Sequence, residues 1–219
     1  MCTALHIQTS QSGYFGRNMD IPFFFHQQPM EIPRGFRYRN RADGREVEIQ
    51  RQILGMGTVL DGHPAMAEAM NEDGLACAGL NFAGYAHYES SPAEGRENIP
   101  PYDFILWALS GFGSIVQLRP ALKKLCLVSV PINQNTPLPT LHWMLADRSG
   151  ESLVVEATRA GLQVYDNPVG VMTNNPEFPW HLTNLREYMG LSAQDPSPAQ
   201  WSELRLDALG VGAGSRGIP

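Results

Sequence analysis

The sequence predicts an α+β protein, a single domain over residues 1–219, in which antiparallel strands outnumber helices. Three observations lead to this interpretation. The N-terminal segment alternates polar and apolar residues before a turn, the middle of the chain has helical spacing, and residues 140–174 form short apolar segments separated by tight turns. Strands joined by tight turns pair antiparallel, whereas parallel strands need long crossover connections. We therefore expect antiparallel sheets rather than alternating βαβ units.

The N-terminal half supplies most of the predicted strands. Residues 3–9 have the alternation of a half-buried strand, and the chain then returns in a hairpin. The segments FRYRNR and REVEIQ flank the turn signal Asp43-Gly44, which predicts an exposed ribbon with arginines facing glutamates. Residues 75–82 (LACAGLNF) follow the turn NEDG and are typical of a buried strand, in which Cys77 is a packed and inert thiol.

The second half begins with helices and continues as a meander. Helices are predicted over 102–111 and 114–126, and Pro120 predicts a kink or a late start in the second of them. From residue 140 the strands TLHWMLAD, ESLVVEAT, LQVYD and VMTN alternate with turns. A further helix is expected over 176–188, and the chain closes with a Gly-rich segment. We expect from this ending that the domain stops before its fold is complete.

Composition and charge exclude several classes of protein. The net charge of −6 disfavours binding to phosphate backbones, so no nucleic acid partner is expected. Cys2, Cys77 and Cys126 form no CxxC pair, which argues against a disulfide framework and a thiolate metal site. No apolar stretch approaches the roughly 20 residues that span a bilayer, and no signal peptide is evident. We expect a cytoplasmic protein without a membrane partner.

Cys2 has the most distinctive chemistry. Removal of Met1 would place a thiol and a free α-amine on one residue. An amine that titrates at about pH 8 can act as a general base. The segment GRNMD brings Arg17 and Asp20 after the first hairpin, where a guanidinium favours the thiolate and a carboxylate holds the amine. The alternatives are an incidental cysteine and a surface ion pair. The six histidines show no ligand spacing, which disfavours a Cys–His or metal hydrolase.

Six segments together resemble the choloylglycine hydrolase family, which comprises the bile salt hydrolases and the penicillin V acylases. They are MCT, GRNMD, LGMGT, MNEDGLACAGLNF, TLHWMLAD and VMTNNPEFPWH, in order along essentially the whole chain. The resemblance implies a four-layer αββα N-terminal-nucleophile hydrolase sandwich of antiparallel sheets. It also implies a small-molecule substrate, no metal or organic cofactor, and a cytoplasmic homotetramer. Compared with the family, the last third and a downstream Arg of the usual catalytic set are missing, so we expect a sandwich incomplete at its C-terminus.

The resemblance also implies a role for each matching catalytic residue. Cys2 is the nucleophile once Met1 is removed, and Arg17 and Asp20 match the residues that tune and orient it. Asn81, through its backbone N–H, and Asn174, through its side-chain amide, match the donors to the oxyanion. Preorganised donors of this kind stabilise a tetrahedral intermediate.

Four further positions match those at which the family builds an apolar pocket for a steroid or aryl acyl group: Met19, Phe25, Ala65 and Ile132. The function implied first is hydrolysis of the amide bond of glycine- or taurine-conjugated bile salts through an acyl-enzyme. The alternatives are a penicillin V acylase, a branch that tends to place Tyr at the position of Asn81, and an inactive truncated remnant.

Overall fold

A seven-stranded antiparallel sheet is the largest element of the computed structural model, which describes residues 1–22, 24–189 and 197–207. The chain divides into two units, Met1–Asn175 and Pro176–Pro219. The helices are α1 (Phe104–Gly111), α2 (Ile115–Leu122) and α3 (Phe178–Asn184), with short 3-10 helices at Pro101–Asp103 and Leu185–Tyr188. The strands are β1 (Cys2–Gln8), β2 (Gly13–Met19), β3 (Gln28–Ile32), β4 (Arg37–Arg39), β5 (Glu46–Glu48), β6 (Ile53–Leu60), β7 (His63–Asn71), β8 (Ala76–Asn81), β9 (Glu97–Ile99), β10 (Leu125–Leu127), β11 (Leu141–Ala146), β12 (Ser152–Thr158), β13 (Gly161–Asp166), β14 (Val171–Met172), β15 (Ala199–Trp201) and β16 (Leu204–Leu206).

The large sheet has the strand order β13-β12-β11-β8-β7-β6-β3. Its β11, β12 and β13 form the first part of the predicted meander, each pairing antiparallel with the next. Every residue of β12 is buried, as is typical of a strand covered on both faces. The predicted arginine–glutamate ribbon also forms, with Arg37 opposite Glu48 in the β4–β5 pair.

The prediction that the meander continues into VMTN is wrong, because β14 pairs with β1 in a separate sheet of order β14-β1-β2. The chain leaves the large sheet through a turn in which the Asn167 side chain accepts from Gly170 N at 3.0 Å. Gly170 has φ 65°, and a Cβ atom there would lie 2.5 Å from the carbonyl oxygen of His6. Only glycine fits this left-handed, close approach, so Gly170 permits β14 to reach β1.

The two helices of the middle segment cover one face of the large sheet. Phe104 of α1 stacks on Trp143 of β11 with ring centroids 4.2 Å apart, and both lie in the same buried core as Leu118 of α2. The prediction that the second helix runs to residue 126 is wrong, since α2 ends at Leu122. The following LCL segment is fully buried as β10 and pairs parallel with β9.

Met1–Asn175 thus has three layers, namely the helices, the large sheet and the small sheet, whose β1 and β2 pack against β8. The α+β class and the incomplete sandwich of antiparallel sheets are as predicted. The prediction of one domain over residues 1–219 stays a prediction. Among the described helices, none combines the length and the apolar character of a membrane-crossing segment.

The unit Pro176–Pro219 contains α3, a short 3-10 helix and the β15–β16 hairpin. The helix predicted over 176–188 is therefore present, with its last turn tightened into 3-10 geometry. The Gly-rich segment at the C-terminus lies outside the described residues.

Candidate active site

The β1–β2 hairpin places Cys2 on the face of the small sheet that packs on the large one. Cys2 lies opposite Met19, and Ala4 lies opposite Arg17. Because alternate residues of a strand share a face, these four side chains point to the same side. The Cys2 side chain is buried at 2% exposure, and the long Arg17 side chain reaches it from the neighbouring strand.

Arg17 connects the thiol to the large sheet. Its Nη2 donates to Cys2 Sγ at 3.9 Å and to the carbonyl oxygen of Gly79 at 2.9 Å, while its Nη1 forms an ion pair with Glu68. The Arg17 side chain is only 4% exposed. Since a buried guanidinium keeps its charge, a fixed positive charge lies beside Cys2.

Asn174 binds the backbone of Cys2 from the other side of β1. Its Oδ1 accepts from Cys2 N at 2.6 Å, and the preceding Thr173 donates its hydroxyl to Cys2 O at 2.9 Å. Its Nδ2 donates to the carbonyl oxygen of Asn81 at 2.7 Å. The amide of Asn174 therefore bridges Cys2 and the end of β8.

The backbone N–H of Asn81 points toward the same side. On the β11 edge of β8, Phe82 N donates to Thr140 O at 2.8 Å, while Leu141 N donates to the Tyr88 hydroxyl at 2.7 Å. Because backbone groups alternate between the two edges of a strand, the N–H and C=O of Asn81 point to the edge of β8 opposite β11. On that edge the C=O of Asn81 accepts a hydrogen bond from Asn174 Nδ2. Two potential oxyanion donors, one from backbone and one from a side chain, thus lie on one side of Cys2.

Asp20 binds the N-terminal amine, which in this structure belongs to Met1. Met1 N donates to the backbone oxygen of Asp20 at 2.8 Å and pairs with its Oδ2 at 3.3 Å. Cys2 N is here a peptide amide, so the expected contact of Asp20 with the Cys2 amine is replaced by a contact one residue earlier. Both groups are exposed, which leaves this amine accessible from solvent.

The four residues expected to line a substrate pocket lie in different elements. Met19 is the cross-strand neighbour of Cys2, whereas Phe25 lies in the segment after β2 and is 38% exposed. Ala65 lies in β7, just after the β6–β7 turn. Ile132 is buried, and its carbonyl oxygen accepts from Arg41 Nη1 at 2.8 Å.

Arg41 also donates from Nη2 to Asp61 in that β6–β7 turn, so Ala65 and Ile132 lie at the same end of the hairpin. Phe23, the first of the three successive phenylalanines, lies outside the described residues. Phe24 is 71% exposed, in accord with the expectation that at least one of these rings lies at a surface.

The sequence interpretation missed Glu68. A single charged residue within the apolar strand β7 (HPAMAEAMN) was the available signal, because a half-buried carboxylate needs a partner. It also left two buried pairs unassigned: His63 with Asp103 at 2.6 Å, and His142 with Glu156 at 3.0 Å. Burial raises the pKa of Asp103 above its usual value, against the opposing effect of His63.

The other thiols differ from Cys2 in their surroundings. Cys77 is fully buried in the core under the helices, and burial raises the pKa of its thiol well above the usual value. A thiol that stays protonated is a poor nucleophile. Within residues 1–22, 24–189 and 197–207, no three His, Cys, Asp or Glu side chains are grouped as metal ligands.

Comparison with known proteins gives consistent matches. The model of the linear amide C-N hydrolases, choloylglycine hydrolase family, matches residues 2–219. The bile salt hydrolase/transferase of Clostridium perfringens is 44% identical over this whole chain, which covers 67% of that protein. The conjugated bile acid hydrolase of Lactobacillus acidophilus is 36% identical over the whole chain and 69% of its own length.

Solved structures agree with these sequence matches. The C2A mutant of the conjugated bile acid hydrolase from C. perfringens superposes with a TM-score of 0.88 over 98% of this chain and 66% of that chain. A penicillin V acylase from Agrobacterium tumefaciens, 21% identical with a TM-score of 0.68, shares the fold. The chain spans about two thirds of the length of the relatives it matches.

Proposed function

The chain belongs to the choloylglycine hydrolase family of linear amide C-N hydrolases, and on that basis we propose that it hydrolyses conjugated bile salts with Cys2 as nucleophile. The observation that carries the proposal is the convergence of Arg17 and Asn174 on Cys2. A guanidinium lies 3.9 Å from the thiol, and a side-chain amide holds the nitrogen of the same residue at 2.6 Å. An N-terminal thiol nucleophile needs a positive charge that stabilises its thiolate and a group that holds its α-amine in position.

Removal of Met1 starts the mechanism, because it converts Cys2 N from an amide into an amine. The amine keeps Asn174 Oδ1 as an acceptor, and Asp20 already binds the amine of the preceding residue. In its neutral form the amine takes the proton of the thiol, and Arg17 stabilises the thiolate that results.

The thiolate then attacks the amide carbonyl carbon of the substrate. The oxyanion that forms accepts hydrogen bonds from Asn81 N–H and from the Asn174 amide. The protonated amine returns its proton to the leaving nitrogen, glycine or taurine departs, and a thioester remains on Cys2. Water, deprotonated by the same amine, hydrolyses the thioester and releases the bile acid. The protonated amine then returns the proton to the released thiolate of Cys2, which restores the starting state.

The acyl group of the substrate belongs on the side of Cys2 occupied by Met19, with Phe25, Ala65 and Ile132 as further apolar walls. We favour bile salts over penicillin V as substrates because the two curated relatives described above, at 44% and 36% identity, are a bile salt hydrolase/transferase and a conjugated bile acid hydrolase. We also infer a cytoplasmic homotetramer from family membership. Light scattering of the purified chain tests the assembly.

The test combines the N-terminal mass with parallel assays. Mass spectrometry reports whether Met1 is removed, and the same sample is then assayed with glycocholate, taurocholate and penicillin V. We expect release of glycine or taurine by the Met1-free form. Faster turnover of penicillin V would reverse the substrate assignment, and no turnover of any of the three by Met1-free protein would favour an inactive remnant.

A further inference from the structure

Glu68 binds the half of the Arg17 guanidinium that faces away from Cys2. Nη2 is shared between Cys2 Sγ and Gly79 O, while Nη1 pairs with Glu68 Oε2. Among the described residues, the buried Nε of Arg17 has no hydrogen-bond partner. The position of the guanidinium therefore depends on Glu68 and Gly79, and only Glu68 carries a charge.

Strand geometry explains how Glu68 reaches this position. Glu68 lies opposite Ala78, while the adjacent pair, Ala69 and Cys77, faces the core under the helices. Alternation along β7 and β8 turns Glu68 and Ala78 to the other face, toward the small sheet. The pairing of β7 with β8 ends at Glu68 and Ala78. At that point the Arg17 guanidinium bonds to β7 through the Glu68 side chain and to β8 through Gly79 O.

The burial of Arg17 makes the counter-charge necessary. A guanidinium that is 4% exposed loses most of its hydration, and this loss is offset only by a close anion and by satisfied hydrogen bonds. Glu68 is 25% exposed, so its carboxylate keeps some contact with solvent while it neutralises Arg17. Such a pair fixes the cation in one place and weakens its field at the thiol.

We propose that Glu68 is a positioning residue, which orients Arg17 and moderates its charge and thereby sets the reactivity of the Cys2 thiol. The proposal rests on the proposed function for its catalytic meaning. Among the described residues, the ionisable groups linked to Cys2 are Arg17 from β2, its partner Glu68 from β7, and the N-terminal amine of the preceding residue with its partner Asp20. The neighbouring positions of β8 and of residues 171–174 present uncharged groups. Glu68 is the acidic group bonded to Arg17.

Glu68→Gln separates charge from hydrogen bonding, because the amide oxygen still accepts from Arg17 Nη1 while the negative charge is lost. The field of Arg17 at the thiol then becomes stronger, so alkylation of Cys2 by iodoacetamide should extend to lower pH than in the parent chain. Glu68→Ala removes both contributions. We expect it to lower kcat about tenfold, with little change in KM, because the guanidinium is no longer held in place.

Glu72→Gln is the matched control. Glu72 lies just after β7 and pairs with the exposed Arg34 instead of Arg17. Glu72→Gln therefore removes the same charge as Glu68→Gln without changing a residue that contacts Arg17 or Cys2. Peptide mass mapping assigns the alkylation to Cys2, and thermal melts establish that each variant is folded. Glu68→Asp, which restores the charge, should return the alkylation profile toward that of the parent.

The alkylation profile does not require hydrolase activity, which separates the two proposals. A profile that shifts in Glu68→Gln and not in Glu72→Gln supports the role of Glu68 even if no bile salt is hydrolysed. Identical profiles in the parent, Glu68→Gln and Glu72→Gln would overturn it, even if the chain is an active hydrolase. Equal kcat in the parent and Glu68→Ala would overturn the orienting role.

Discussion

The backbone nitrogen of Cys2 and the side-chain oxygen of Asn174 lie 2.6 Å apart, although 172 positions separate the two residues in the chain. This contact exists because β14 leaves the meander and pairs with β1. The proposed nucleophile and one of the two proposed oxyanion donors are thus held by the same strand pair.

The two oxyanion positions should respond differently to substitution. In the proposed mechanism Asn81 acts through its backbone N–H, and its side chain contacts Thr140 Oγ1, so Asn81→Ala should keep most of the activity. Asn174 is proposed to act through its side chain, so Asn174→Ala should lower kcat by about 10²–10³. Steady-state assays with glycocholate compare the two variants. Equal losses in both would show that the division between backbone and side-chain donors is wrong.

Cys2→Ala should abolish amide hydrolysis and leave the fold intact, because the thiol forms the acyl-enzyme bond but fills little volume. The control is Cys126→Ala, which removes a thiol from β10 and should keep activity. In the folded parent, iodoacetamide should label Cys2 and not Cys77, because burial raises the pKa of the Cys77 thiol. Parental turnover by Cys2→Ala would exclude covalent catalysis by this residue.

Gly170→Ala should reduce both stability and activity. The left-handed backbone disfavours alanine by about 1–2 kcal/mol, and the clash with the His6 carbonyl adds about 1–3 kcal/mol while displacing β14. Gly95→Ala is the matched control, since Gly95 has φ 70° but open space around it and should lose only the first contribution. Urea unfolding and glycocholate turnover give both quantities. A Gly170→Ala variant as stable and active as Gly95→Ala would contradict the role of the close approach.

The buried Asp103 should make stability depend on pH. Burial raises its pKa, so the folded state binds this proton more tightly than the unfolded state. Its contribution to stability is then complete at low pH and is lost as the pH rises through the folded-state pKa. Relative to Asp103→Asn, the parent should lose free energy of unfolding as the pH rises from about 4, the ordinary pKa of an aspartate, through the raised pKa of Asp103 in the folded state. Urea unfolding at several pH values measures the difference, and a constant or opposite trend would contradict the assignment.

Local pattern was enough to predict the β1–β2 hairpin, the central strand β8 and the first three strands of the meander. Their alternation and turns are properties of neighbouring residues. The partner of β14 was not predictable in this way, because it depends on the close approach of Gly170 to His6, which are far apart in the chain. The end of α2 was missed since LCL suits a buried strand as well as a helix.

The site shows the same difference between local patterns, which the sequence reveals, and contacts between distant residues, which it does not. Cys2, Arg17 and Asp20 were candidates from their own chemistry and Asn81 and Asn174 from a resemblance to a family, and the structure brings Arg17, Asn81 and Asn174 together around Cys2. Glu68 belongs to no segment that carried the resemblance, and its partner lies on another strand 51 positions away. The burial of an ion pair depends on the tertiary structure, so it cannot be predicted from the residue pattern of a single strand.

The pairing of β14 with β1 has a consequence for how the enzyme is made. The β1–β2 hairpin closes over a few residues and is synthesised before β14, whereas its contact with β14 closes a loop of nearly the whole first unit. Loop-closure entropy makes such distant contacts slow to form. The thiol is therefore synthesised well before Asn174, whose side chain binds the backbone nitrogen of Cys2. In the proposed mechanism, the site around the Cys2 nucleophile is therefore complete only after residue 174 has been synthesised and has docked on β1.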